Sequence, residues 1–237
     1  MDSDAYPGKD WLLNAMKHFS DPEIAAVGGP GITPDEDSLM QKASGHILSS
    51  FMVGNLSGRC KKETARYSDD IHSCNFIARK TIVEKIKWNE KYWPGEDTLM
   101  CLGITRLGKR MIEAPDVVVH HHRRRLFLGH LRQISQFGLH RGFFAKKNLE
   151  TSLKLTYFIP SFLILFLVSG SLISYIIPEF GIVFMSILSI YLILALVSSI
   201  TSANPGMIIL VWIGIILTHL TYGIYFLVGL SRRDLKR

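Results

Sequence analysis

Three sets of residues in this 237-residue chain have the types and spacing to do chemistry. Asp2 and Asp4 stand two apart at the N-terminal end. In an extended segment they project from one side, because side-chain direction repeats every two residues. Two hard carboxylates so placed can take Mg2+ or Mn2+ and present it to phosphate oxygens; a solvated acidic terminus has the same sequence. Glu96 and Asp97 follow a Pro94-Gly95 turn and open a helical pattern of Leu99, Met100, Leu102, Ile104 and Leu107. A carboxylate there can accept a hydroxyl proton, or the pair can simply complement the positive end of the helix dipole. His120, His121 and His122 run into Arg123, Arg124 and Arg125. Neutral imidazole is a common metal ligand, and guanidinium geometry suits phosphate oxygens. The plainer roles are a surface patch for the histidines and lipid headgroup contact for the arginines.

These groups need elements to position them. Helical spacing covers Lys9 to Phe19, with Trp11, Leu12, Ala15, Met16 and Phe19, and Ile24 to Val27 reads as a short strand. Gly28-Gly29-Pro30-Gly31 reads as a turn, since neither dinucleotide nor phosphate-loop spacing is present. A second helix is expected from Pro34-Asp35-Glu36-Asp37 to about Val53, followed by a polar, basic loop from Gly54 to Ser68. Asp70 to Ala78 is expected as a buried strand, with His72 and Asn75 either satisfying local hydrogen bonds or, for Asn75, lining an acceptor cleft. Arg79 to Ile86 reads as a short helix, and Arg110 to Glu113 and Val117 to His121 as strands. Leu126 to Lys147 interleaves basic and aromatic residues at helical spacing, which suits a helix in a membrane interface. Nucleic acid could use the same composition, but the apolar tail downstream favours lipid, so no nucleic-acid partner is expected.

The charge is segregated. The formal net charge is +7 while the mean hydropathy is +0.21. Residues 1–154 hold nearly all the ionisable groups, and Phe180 to Ser231 contains no Asp, Glu, Lys or Arg. The basic excess fits a cytoplasmic membrane face or a phosphate site. Three hydrophobic segments are expected at 155–177, 181–200 and 206–230. A helix rising about 1.5 Å per residue needs about 20 residues to cross a ~30 Å core. Pro160 is expected to kink the first segment and Pro178-Glu179-Phe180 to form a tight turn after it. Basic residues precede the first segment and follow the last, and both ask to be cytoplasmic. Three full crossings would separate them, so either the tail is translocated despite its charge or one segment is re-entrant, and the side of the tail is left open. His219, within the third segment, is given no role. Three scattered cysteines, Cys60, Cys74 and Cys101, show no zinc spacing and no disulfide framework.

The order of these motifs is more specific than any one of them. The sequence Asp2-Ser3-Asp4-Ala5-Tyr6-Pro7, a helix with Trp11, a strand ending in Gly28-Gly29-Pro30, Cys74-Asn75-Phe76, the Gly95-Glu96-Asp97-Thr98 helix, the histidine–arginine run and a Gln/Arg-rich segment follow one another. This resembles the second half of the catalytic domain of a family 2 glycosyltransferase, with membrane helices appended. The resemblance covers residues 1 to about 150. It implies an α/β fold, a partial GT-A domain with a mixed sheet flanked by helices, followed by an α-helical membrane region. The division it implies is 1–122 for the catalytic part, 123–150 for a basic amphipathic interfacial segment and 151–237 for the transmembrane region.

The activity implied is that of a membrane-bound inverting glycosyltransferase. It would move a sugar from a nucleotide-diphosphate sugar donor to a lipid-linked or polysaccharide acceptor at the cytoplasmic face of a bilayer. A divalent cation, Mg2+ or Mn2+, would be held by Asp2, Asp4 and His121, with His122 the second choice for the imidazole. Asp2, Arg123 and Arg124 would contact the donor diphosphate. Asp97 would be the general base and Glu96 its support. Asn75, Gln133 and Arg141 would lie on the acceptor side, although the family's Q-x-x-R-W is not present as such. The family places its D-x-D after a nucleotide-binding half whose strands have no counterpart here, so the chain is expected to be a fragment. The other class open to it is a non-catalytic membrane protein whose basic domain docks on anionic lipid or a partner subunit.

Overall fold

The computed structural model describes residues 2–57, 64–89, 91–147 and 149–235. Cys60 and the basic loop residues Arg59, Lys61 and Lys62 lie outside the described residues. The polar half opens with β1 (Ala5–Pro7), α1 (Trp11–His18), β2 (Ile24–Gly28), β3 (Gly31–Ile32), α2 (Leu39–Ser49) and α3 (Phe51–Ser57). It continues with β4 (Arg66–Ser68), a 3-10 turn at Ser73–Asn75, β5 (Phe76–Ala78), α4 (Lys80–Ile86), α5 (Glu96–Arg106), β6 (Arg110–Glu113) and β7 (Val119–His121). The long α6 (Leu128–Lys146) then leads to α7 (Ile159–Ile176), α8 (Pro178–Ser202) and α9 (Ile208–Ser231).

Among the described residues two small mixed sheets form, where the sequence suggested one. One has the order β1-β7-β3 and the other β4-β6-β2-β5. In the second, β2 runs parallel to β6 and antiparallel to β5. All five residues of β2 are buried, as a central strand covered on both faces requires. Ala25, Ala26 and Met111 of this sheet pack on Met100, Cys101 and Ile104 of α5. Ala15 of α1, Ile24 and Val27 fill a second cluster with Ala114 and Val117. In the other sheet the β1–β7 register pairs Ala5 with His121. That register carries the N-terminal aspartates to the histidine strand.

The expected strand from Asp70 is shorter: Ser73–Asn75 form a 3-10 turn and only Phe76–Ala78 pair in the sheet. The second helix starts at Leu39, not at Pro34, because Ser38 and Gln41 make a capping box, with Gln41 Oε1 accepting from the Ser38 N–H at 3.2 Å. Asp37 stays outside the helix and pairs with His122. The expected prolines also behave differently. Pro160 and Pro178 sit in the first turns of α7 and α8, where a missing N–H costs nothing, so neither kinks a span. Among the described residues three helices, Ile159–Ile176, Pro178–Thr201 and Pro205–Ser231, are long and apolar enough to cross a membrane.

The α6 helix is packed into the molecule. Gly138 and Gly142 let it approach the α9 backbone: a Cβ on Gly138 would stand 2.7 Å from the Tyr222 carbonyl, and one on Gly142 would collide with that of Phe226. Small residues at such a spacing permit this kind of helix contact.

Candidate functional site

A cavity of about 460 Å3 lies between the polar half and the apolar helices. Its wall takes in Asp2, Asp4, Glu96, Asp97, His121, Arg123 and Arg124, and, further along, Gln133 and Arg141 of α6 and Thr218, His219 and Tyr222 of α9. Asn75, expected on the acceptor side, does not line the cavity, and neither does His122, the second-choice imidazole. The buried Asn75 amide accepts from Trp11 Nε1 at 2.8 Å and donates to the Val117 carbonyl at 2.7 Å. It ties α1 to the β6–β7 connection, which is the local hydrogen-bonding role, not a place on the acceptor side.

On one side of the cavity Asp2, Asp4 and His121 each turn a ligand atom to a common point, all within 4.8 Å of one another. His121 Nε2 stands 3.2 Å from Asp4 Oδ1 and Arg124 Nη2 3.1 Å from Asp4 Oδ2. Burial, and then the neighbouring Asp4, raise Asp2 above the ordinary carboxylate range. The two carboxylates suit Mg2+ or Mn2+ by donor type, whereas an imidazole is a more usual ligand for softer ions such as Zn2+ or Fe2+. One feature of the imidazole limits the fit. Arg123 Nη1 donates to His121 Nδ1 at 3.0 Å; a guanidinium only donates, so Nε2 carries the ring proton and donates to Asp4. A cation on Nε2 requires Arg123 to release Nδ1. Arg123 also donates to the Gly31 carbonyl. His122 is placed apart from this group: its Nδ1 lies 2.6 Å from Asp37 Oδ1, and that hydrogen bond raises its basicity.

On the other side, Gly95 turns the chain into α5 with φ 121°, a conformation that side chains rarely adopt. Glu96 and Asp97 follow as the first helical residues. Asp97 Oδ1 accepts from the Thr98 N–H at 2.7 Å and Oδ2 from the Ser73 N–H at 3.3 Å. Burial, then the charge of Asp70 and that of Glu96, push the Asp97 carboxyl up to about 6 against those two hydrogen bonds. An acid tuned towards neutrality in a cavity is suited to proton transfer.

Two residues that sequence reasoning passed over link these sides. Ser73 gives its N–H to Asp97 and its hydroxyl to Asp2 Oδ2, the latter at 3.3 Å. Asp70 pairs with Arg141 Nη2 at 2.7 Å and accepts from Thr98 Oγ1 at 3.4 Å. Burial works against the Asp70 charge, and Arg141, with His72 and Lys154, outweighs it, so Asp70 lies below its ordinary range. Arg141, an expected acceptor-side residue, thus reaches the cavity already neutralised and also stacks over the Tyr157 ring, 4.5 Å from its centroid. The sequence hint was the adjacent pair Asp69-Asp70 at the start of a segment expected as a buried strand; Asp69 pairs with Lys154.

No family model matches the chain, and no curated protein resembles it closely enough to be counted a match.

Proposed function

We propose that this protein is a membrane-bound inverting glycosyltransferase, using a nucleotide-diphosphate sugar as donor and a hydroxyl of a lipid-linked or polysaccharide acceptor. The observation that carries this reading is the meeting of two unlike acid groups in one cavity. Asp2 and Asp4 stand beside His121 and Arg124, and Asp97, held near pKa 6, faces the same space with Glu96.

In this reading the acceptor oxygen forms a bond to the anomeric carbon from the face opposite the diphosphate. The bond from that carbon to the diphosphate oxygen breaks, and its electron pair leaves with the nucleoside diphosphate. Asp97 takes the hydroxyl proton as the new bond forms, when that proton becomes acidic. Ser73 and Thr98 hold the Asp97 carboxylate in place through their N–H groups. Arg124, and Arg123 once turned from His121, supply positive charge where the leaving oxygen gains negative charge. Asp2, Asp4 and His121 would hold Mg2+ or Mn2+, which when bound would neutralise diphosphate charge. Gln133 and Arg141, further along the cavity, stand towards the acceptor side. The three apolar helices support the bilayer as the setting, and the basic flanks support a cytoplasmic face.

The test is nucleoside diphosphate release by the purified chain in lipid vesicles, with a panel of nucleotide-diphosphate sugars and Mn2+. Release that requires Mn2+ and is lost in Asp97→Asn supports the reading. Release insensitive to both chelation and Asp97→Asn would overturn it.

A further inference from the structure

The three apolar helices differ in what surrounds them. Within an apolar 18-residue stretch of each candidate span, 39% of the residues are buried in the third, against 17% in the first and 11% in the second. The outer surfaces of α7 and α8 are rows of exposed large apolar residues, such as Val168, Leu172 and Ile176 on one and Ile182, Ile190 and Ile193 on the other. The α9 helix is instead bound to the polar half from end to end. Near its start, Val211 and Ile215 pack with Ala43 and Ile47 of α2. At its middle, His130 of α6 bridges Ser44 and Thr218 at 2.7 and 2.9 Å, and His219 Nε2 lies 3.2 Å from the Met52 carbonyl. Past its end, Leu235 packs on Phe143 and Phe144, Lys146 Nζ donates to the Arg232 carbonyl at 3.0 Å, and Lys91 stands 3.6 Å from Asp234.

From Val211 to Leu235 these attachments extend over roughly 30 Å, as long as a bilayer core is thick. If α9 crossed the bilayer, α6 would have to enter the hydrocarbon beside it. Yet α6 exposes Arg132, Gln136 and Lys146 to its surroundings, and charges at that depth are strongly disfavoured. The remaining face of α9 is apolar, with Ile209, Ile213 and Ile224 exposed, spaced to form one helical stripe.

We infer that α9 does not cross the membrane but lies along its surface beneath α6, so that the C-terminal tail is on the same side as the polar half. Only the α7–α8 hairpin enters the bilayer core. The exposed stripe of α9 rests on lipid, continuous with the surface of the hairpin. This arrangement also resolves the charge conflict, since Arg124, Arg125 and Arg132 before the hairpin and Arg232 and Arg233 after it then face one compartment. The cavity lies directly above α9, which forms part of its membrane-side wall through Thr218, His219 and Tyr222.

The placement is independent of any catalytic role for Asp97. It is tested on the full chain by adding an epitope tag behind a specific protease site at each terminus. Sealed membrane vesicles of one orientation are treated with the protease from outside, with detergent-opened vesicles as the measure of complete cleavage. We expect both tags to be cut, or both protected, in a given orientation. One tag cut and the other protected would mean that an odd number of helices crosses and would overturn the inference.

Discussion

The two acid groups of the cavity contain the same side chain in opposite surroundings. Asp4 stands on the last step before an edge strand, with His121 and Arg124 against its two oxygens. Asp97 stands at the start of a helix, with Asp70 and Glu96 as charged neighbours and burial as the largest influence on it. The first arrangement collects positive charge around carboxylates, and the second withholds it. The contrast teaches that neighbours, not residue type, divide the work: one pair is suited to a cation and diphosphate, the other to a proton. Arg141 illustrates how the division is maintained. It lies on the same cavity, but its guanidinium is held by Asp70 at 2.7 Å, and it is the Asp70 charge that acts on Asp97.

The most severe way to break this comparison is to remove the proposed base. Asp97→Asn should cut the proposed transfer by about 10^3-fold, within the usual range for a lost general base, with kcat falling and KM little changed. A drop confined to KM would assign Asp97 to binding.

The protonation of Asp97 gives the next largest effect. Only the ionised form accepts a proton, so the rate should rise as pH passes through about 6 and level off above it. Below that point it should fall about tenfold per pH unit. Removing the charge beside it while keeping the region neutral, in Asp70→Asn combined with Arg141→Gln, should move this limb to lower pH. An unmoved limb would remove Asp70 from the account.

A smaller effect appears in stability. The folded Asp97 value lies above the ordinary carboxylate value of 3.8. The stability linked to its proton is therefore full below that value and lost as pH rises through about 6. Asp97→Asn keeps a neutral group at all pH, so it should melt about 5 °C higher than the parent chain at pH 8 and at nearly the same temperature at pH 4. On the other side of the cavity, Arg124 is 60% exposed against Asp4. Its loss in Arg124→Ala should change stability by less than about 1 kcal/mol, which chemical denaturation can measure.

Much of this site was legible before the fold was known, and the exceptions have physical causes. The acidic pair after Pro94-Gly95 and the two aspartates two residues apart are local patterns, and local patterns survive without tertiary knowledge. That Asp4 meets His121 follows from a strand register across more than a hundred residues of chain, and only the order of motifs pointed to it. Ser73 and Asp70 carry no motif; their roles come from where the 70–73 segment lies against α5, which the Cys101 thiol helps fix beside Ile71. Asn75 was ambiguous because a buried amide needs partners whether or not a ligand is near. The helices were legible from hydropathy, but their ends were not: hydropathy does not register that a proline in a first turn begins a helix. Nor does apolar composition distinguish a helix that faces lipid all round from one laid against α6, a difference set by Gly138 and Gly142 on its neighbour.

The central claim is that the cavity's two acid groups do different work, and Mn2+ binding tests it without any sugar or acceptor. Electron paramagnetic resonance titration of Mn2+ into the detergent-solubilised chain would compare the parent with Asp4→Asn and Asp97→Asn. The account predicts that Asp4→Asn weakens binding by at least about tenfold, as loss of support at a metal site does, while Asp97→Asn binds Mn2+ as the parent does. Equal binding by all three, or loss in Asp97→Asn alone, would contradict it.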